Sequence, residues 1–159
     1  MQHKIKTLAE IKKISAQAKK ENKTIVFTNG CFDLLHIGHI TYLKEARALG
    51  DILIIGLNSD SSIKKLKGKK RPLIPEHERA QILSALEYVS YVVLFSEETP
   101  YNLIKAIIPH ILVKGGDYQN QKVVGEDIVK QNGGSLHLIS FIPGKSTSTL
   151  IQTIVKNYS

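Results

Sequence analysis

Apolar residues along this chain fall into short runs separated by glycine, proline and charged clusters, and the runs follow two different periods. Leu8, Ile11 and Ile14 share one face of a 3.6-residue helix. Thr7 opens it as a capping box with Glu10, and it ends near Asn22. Residues 24–28, 52–57, 91–95, 111–113 and 136–141 are instead apolar runs without strict alternation, the pattern of parallel strands buried on both faces. Helical patterns fill the gaps at about 39–49 (closed by Gly50), 76–86 (opened by Pro75), 100–108 and 148–156. Strands alternating with helices predict an α/β fold built on one doubly wound parallel sheet. The expected organisation is a single domain over 1–159, with an N-terminal helix at about 8–22 and a core at about 24–156. Such sheets bind ligands at the carboxyl ends of their strands, so chemistry is expected there.

Composition narrows the class. With 42% hydrophobic and 23% charged residues, the chain has the make-up of a folded domain and not of a disordered or low-complexity one. The longest apolar run, 52–57, is far short of the roughly 20 residues a membrane helix needs, and the first ten residues lack the apolar core of a signal peptide; a cytoplasmic location with no membrane partner is expected. Cys31 is the single cysteine and can make no internal disulfide; it reads as a small buried side chain. Lys and Arg number 22 against 14 Asp and Glu, and the net charge of +8 suits an anionic partner. Six of the eight residues at 64–71 are basic. This stretch reads as a solvated loop or an anion-binding one. It lacks the interleaved aromatics on which single-stranded nucleic acid stacks, so no nucleic-acid partner is expected.

The richest segment is TNGCFDLLHIGH at 28–39: a strand end, Gly30, a short loop, and His36 and His39 around Gly38 at the start of a helix. Both imidazoles can converge where the helix presents its free amides and positive dipole end, a place that favours phosphate. Gly30 lets the strand swing into the loop, and Gly38 keeps a Cβ out of a ligand's way. Two plainer readings stay open: half of a zinc site, for which only Cys31 and Asp33 are near and no ligand set is complete, and a pair of histidines that merely pack and cap.

TNGCFDLLHIGH and the following LKEARALGD resemble the cytidylyltransferase-like nucleotidyltransferases, whose fold is Rossmann-like. The segments LNSDSSIKKLKGKKRP, FSEETP, ILVKGGDY and GKSTST are similar to the branch that adenylylates a heptose 1-phosphate for lipopolysaccharide precursors, and Phe141 stands where glycerol-phosphate cytidylyltransferases carry arginine. The resemblance implies that His36, His39 and Lys44 are catalytic and grip the triphosphate of ATP. It places Thr28, Asn29, Gly30, Phe32, Asp33, Gly38, Lys114, Gly115, Gly116, Asp117, Ser146 and Thr147 around the nucleotide. Asp117 would lie at the ribose, and Ser146 and Thr147 at the β- and γ-phosphates. Asn58, Asp60, Lys70, Arg71 and Arg79 are implied around the sugar phosphate. His77 occupies a position where relatives often have an acid, and Lys145 one where they often have an uncharged residue. The implied reaction is Mg²⁺-dependent attack of heptose 1-phosphate on the α-phosphorus of ATP, giving ADP-heptose and pyrophosphate; relatives are commonly homodimers. The alternatives are a cytidylyltransferase for glycerol 3-phosphate or another polyol phosphate, and a non-catalytic basic module that binds nucleotide or RNA.

Overall fold

Each of the five apolar runs becomes a strand, and a sixth, very short one precedes them. The computed structural model describes residues 2–116, 122–140 and 142–158. In chain order its elements are β1 (Ile5–Lys6), α1 (Leu8–Lys20), β2 (Ile25–Gly30), α2 (Ile37–Ala48), β3 (Ile52–Asn58), α3 (Asp60–Lys67), α4 (Glu76–Ala85), β4 (Tyr91–Phe95), α5 (Tyr101–Ile107), β5 (Ile111–Gly115), α6 (Glu126–Gln131), β6 (Ser135–Ile139) and α7 (Thr147–Tyr158). The strands pair in parallel in the order β1-β4-β3-β2-β5-β6.

Neighbouring residues of the inner strands are apolar and point to opposite faces, which is why the runs do not alternate in character. Ile25 and Phe27 of β2 join Ile54, Val93 and Leu112 under α1, α5 and α6, in a layer with Ile11, Ile104, Ile107 and Val129. Val26 joins Leu53, Ile55, Leu57 and Val92 on the other face, against Leu43 and Ala46 of α2 and Ala80 and Leu83 of α4. From β2 the chain runs outward to β3 and β4, then returns to the other side of β2 for β5 and β6. That reversal opens a crevice at the carboxyl end of β2, the place such sheets use for ligands.

Several expectations need correction. Residues 60–67 form a helix, not the start of a loop. Ser59 caps it, accepting a bond from the Ser62 amide at 3.2 Å, and Ser62 and Ile63 are buried. Its lysines are good helix formers and sit in the last turn, where the dipole favours cations. The sequence reading also passed over α6, six residues long, and β1, which pairs with β4 at the sheet edge. The helix expected from His39 begins at Ile37 with His36 as its N-cap. The last strand, expected over 136–141, ends at Ile139; Phe141 and Asp117 lie outside the described residues.

Candidate active site

Thr7 does cap α1 as read: its hydroxyl accepts the Glu10 amide, and the Glu10 carboxylate accepts the Thr7 amide. α2 differs. His36 is its N-cap and makes no side-chain capping bond. Turning the chain from β2 into this helix falls to Phe32, which has a positive φ of 44°, and not to Gly30 as expected. A Cβ on Gly30 would stand 3.0 Å from the Phe32 ring, so the glycine makes room for an aromatic folded back over the strand end. That ring is buried and lies 5.4 Å from the ring of His39.

His36 and His39 are stacked, with centroids 3.9 Å apart and planes inclined by 34°. A Cβ on Gly38 would come within 2.9 Å of the His36 ring, so the glycine of the motif is required by the histidine before it. Burial, then the charge of Lys145, hold His36 below its ordinary value. Burial, then His36, push His39 down to about 4. Both imidazoles are therefore neutral near pH 7, and each keeps a buried Nδ1 with no hydrogen-bond partner among the described residues. A buried orphan polar atom costs roughly 1–3 kcal/mol and calls for an explanation. Two of them side by side at an uncapped helix start point to a ligand rich in oxygen.

The other expected nucleotide residues divide. Asn29, at the end of β2, accepts a hydrogen bond from the ammonium of Lys114 at the end of β5, and burial pulls Lys114 down to about 8. Gly115 and Gly116 follow on the same edge. Thr28 is fully buried with its hydroxyl 2.7 Å from that of Tyr42, so it supports the strand and does not face the crevice. Ser146 is an N-cap, its hydroxyl accepting the Thr149 amide at 3.0 Å, and Thr147 donates to the Leu34 carbonyl at 3.3 Å, which brings the start of α7 beside the start of α2. Lys44 is exposed on α2. Five residues beyond His39 is roughly 140° around the helix, so only its long, flexible stem can carry the ammonium back towards the imidazoles.

Asp33 belongs to the framework. It is buried, and its carboxylate accepts the Arg71 guanidinium at 2.6 Å and the amides of Leu73 and Ile74 at 2.9 Å. Burial alone would raise its pKa, but those amides and the guanidinium outweigh it and hold the carboxyl below its ordinary value. Arg79, expected at the sugar phosphate, is 1% exposed. It donates to the carbonyls of Ile74 (2.9 Å), Cys31 (2.6 Å) and Asn58 (2.9 Å) and to the Asp60 carboxylate (2.7 Å). Asn58 is buried too, donating to Ser62. Of the group expected around the sugar phosphate, Arg79 ties the loop after β2 to the end of β3 and to Asp60, Arg71 pairs with Asp33, and Lys70 is exposed. Cys31 is half-buried and not fully buried as expected, and the burial it has pushes its thiol up, in keeping with an unreactive side chain. Lys145, absent from the expected contacts, is exposed, but its Cβ lies beside the Gly38 turn and its charge acts on His36; its adjacency to Ser146 and Thr147 at a helix start is the available signal.

Among the described residues no helix is long and apolar enough to cross a membrane. Comparison with known proteins agrees with the geometry. The chain is 57% identical over 153 residues to a bifunctional protein HldE of Aliarcobacter butzleri, covering 96% of this chain and 31% of that protein. It is 57% identical over 141 residues to the bifunctional protein HldE of Pelobacter propionicus, covering 89% and 29%. It thus spans about a third of the length of these relatives. A lipopolysaccharide core biosynthesis protein of Thermoplasma volcanium, known from its crystal structure, superposes with a TM-score of 0.60 at 28% identity, covering 76% of this chain and 97% of that one. Residues 27–149, from the middle of β2 into α7, match the cytidylyltransferase-like family, and the chain belongs to that family.

Proposed function

We propose that the chain is an adenylyltransferase joining ATP to D-glycero-β-D-manno-heptose 1-phosphate, with ADP-heptose and pyrophosphate as products. The observation that carries the reading is the stacked pair His36 and His39, neutral and with orphaned nitrogens, at the uncapped start of α2. The heptose acceptor is supported by the segments that resemble the heptose branch and by the similarity to HldE proteins.

A phosphate oxygen of the sugar attacks the α-phosphorus in line, and the bond to the bridging oxygen breaks as pyrophosphate leaves with the electron pair. The nucleophile is already an anion, so no base is needed; the protein's work is to position two polyanions and meet the charge that grows between them. His36, His39 and the α2 amides donate to the triphosphate in the transition state. Lys114, held by Asn29, adds a cation on the nucleotide side, and Ser146 and Thr147 present the start of α7. Lys44 contributes through its flexible stem, and Lys70 meets the acceptor. Mg²⁺ would come with the triphosphate of the nucleotide and share the charge that the histidines and lysines meet.

The test is pyrophosphate release with ATP or CTP crossed against heptose 1-phosphate and glycerol 3-phosphate. Turnover is expected with ATP and the heptose. Robust turnover of CTP with glycerol 3-phosphate and none with the first pair would refute the proposed substrates.

A further inference from the structure

Side chains at the end of β2 alternate between the two layers that cover the sheet. Asn29 accepts the Lys114 ammonium of β5, and Thr28, one residue earlier, faces the other layer and meets α2. The Thr28 side chain is fully buried, and its hydroxyl lies 2.7 Å from that of Tyr42, a half-buried residue of α2 packed against the apolar side chains of that layer. Thr28 is a fixed post, because β2 pairs with β3 along that whole stretch. The buried side chains of α2 are Leu43 and Ala46. Apolar contacts resist separation, but they are non-directional and constrain the rotation of a helix and its height along a strand only loosely. A hydrogen bond between two hydroxyls is directional and constrains both.

Tyr42 stands three residues after His39, about 4.5 Å along the helix axis and roughly 60° round it. A slide or rotation of α2 therefore moves the imidazoles with it. Donors that serve a transition state stand about 2.7–3.1 Å from the oxygen they meet, and a misplacement of about 1 Å can cost on the order of 10²-fold in rate. The stacked rings of His36 and His39 need such a fixed base. We propose that Tyr42, tied to Thr28, is a positioning residue that sets where His36 and His39 stand against the nucleotide phosphates. The proposal rests on the two histidines as phosphate donors and deepens that reading by naming what holds them in place.

Tyr42→Phe and Thr28→Val each remove one hydroxyl with little change of volume. These variants, their combination and the unaltered chain are to be compared in kcat, calorimetric ATP affinity, melting temperature and the nitrogen NMR signals of the histidine rings. Either single change should lower kcat by about 10-fold, with ATP affinity changed far less and the melting temperature only a few degrees lower. The double variant should lose no more than either single one, because one bond is broken in all three. The ring signals of His36 and His39 should shift, while that of His110, bonded to the first residue of β2 at the other end of the sheet, stays in place. Unchanged kcat in folded Tyr42→Phe overturns the assignment, as do losses that add in the double variant, or a fall in kcat with the His36 and His39 signals unmoved. The ring signals need no substrate, so the two claims separate. If the unaltered chain turns over ATP with heptose 1-phosphate and Tyr42→Phe matches it, only the tether fails. If the unaltered chain turns over no substrate pair, the proposed function fails, and unmoved His36 and His39 signals in Tyr42→Phe would then overturn the tether as well.

Discussion

Replacing Arg79 by methionine keeps most of the buried stem and removes the guanidinium. That group makes four hydrogen bonds, to the carbonyls of Ile74, Cys31 and Asn58 and to the carboxylate of Asp60, at distances from 2.6 to 2.9 Å. Asp60 is 30% exposed at its side chain and can recover water, but the Asn58 carbonyl lies in a buried pocket at the end of β3. Removing one partner of such a buried charged network costs about 3–5 kcal/mol. For a chain of this size each kcal/mol lowers the melting temperature by about 2–4 °C, so a drop of roughly 6–20 °C is expected. Arg79 braces the loop after β2 and the end of β3 together, so kcat/KM for both substrates should fall in the fraction that stays folded. Thermal and urea unfolding followed by circular dichroism, beside kinetics on the same preparation, measure both. An unchanged melting temperature with a rise confined to the acceptor KM would refute this reasoning and restore Arg79 to the sugar phosphate.

His39→Asn removes a transition-state donor and should cut kcat by about 10²- to 10³-fold, roughly 2.7–4 kcal/mol, with ATP affinity changed far less and no large loss of thermal stability; normal turnover in a folded variant would take His39 out of the mechanism. The same residue predicts a pH effect on stability. Its folded value of about 4 lies below the ordinary 6.5, so the unfolded chain binds the extra proton between these limits and stability falls as pH drops from 6.5 towards 4. Asp33 acts lower down. Its folded value is below 3.8, so its contribution is complete above that pH and is lost as pH falls through the lower folded value. Urea midpoints measured from pH 3 to 8 should show the first limb flattened in His39→Asn, and superposable curves would contradict it.

What the sequence reveals about this fold depends on how far each signal acts along the chain. The strands of the two-faced core and the Thr7 cap are written in adjacent residues, and both are as read. α3 is obscured because its pattern is lysine-rich and only Ser62 and Ile63 are buried; its helical state comes from the Ser59 cap and from packing. The two histidines are visible in the motif, but the loss of their protons comes from burial in the fold and, for His36, from Lys145 in a loop more than one hundred residues away. Arg79 and Asp33 look like ligand hands in a linear reading, because charge and spacing do not tell an arginine facing solvent from a buried one bonded to three carbonyls.

The contact between Thr147 and Leu34 joins residues separated by 113 positions. During synthesis the chain emerges from its amino end, so a growing chain that has reached β6 already holds its six strands and both histidines. The start of α7 and Lys145 are still to come. The half of the crevice that belongs to α2 is thus completed by a segment made after the whole sheet, and a nascent chain that has reached only β6 is an incomplete pocket, however well its sheet has formed.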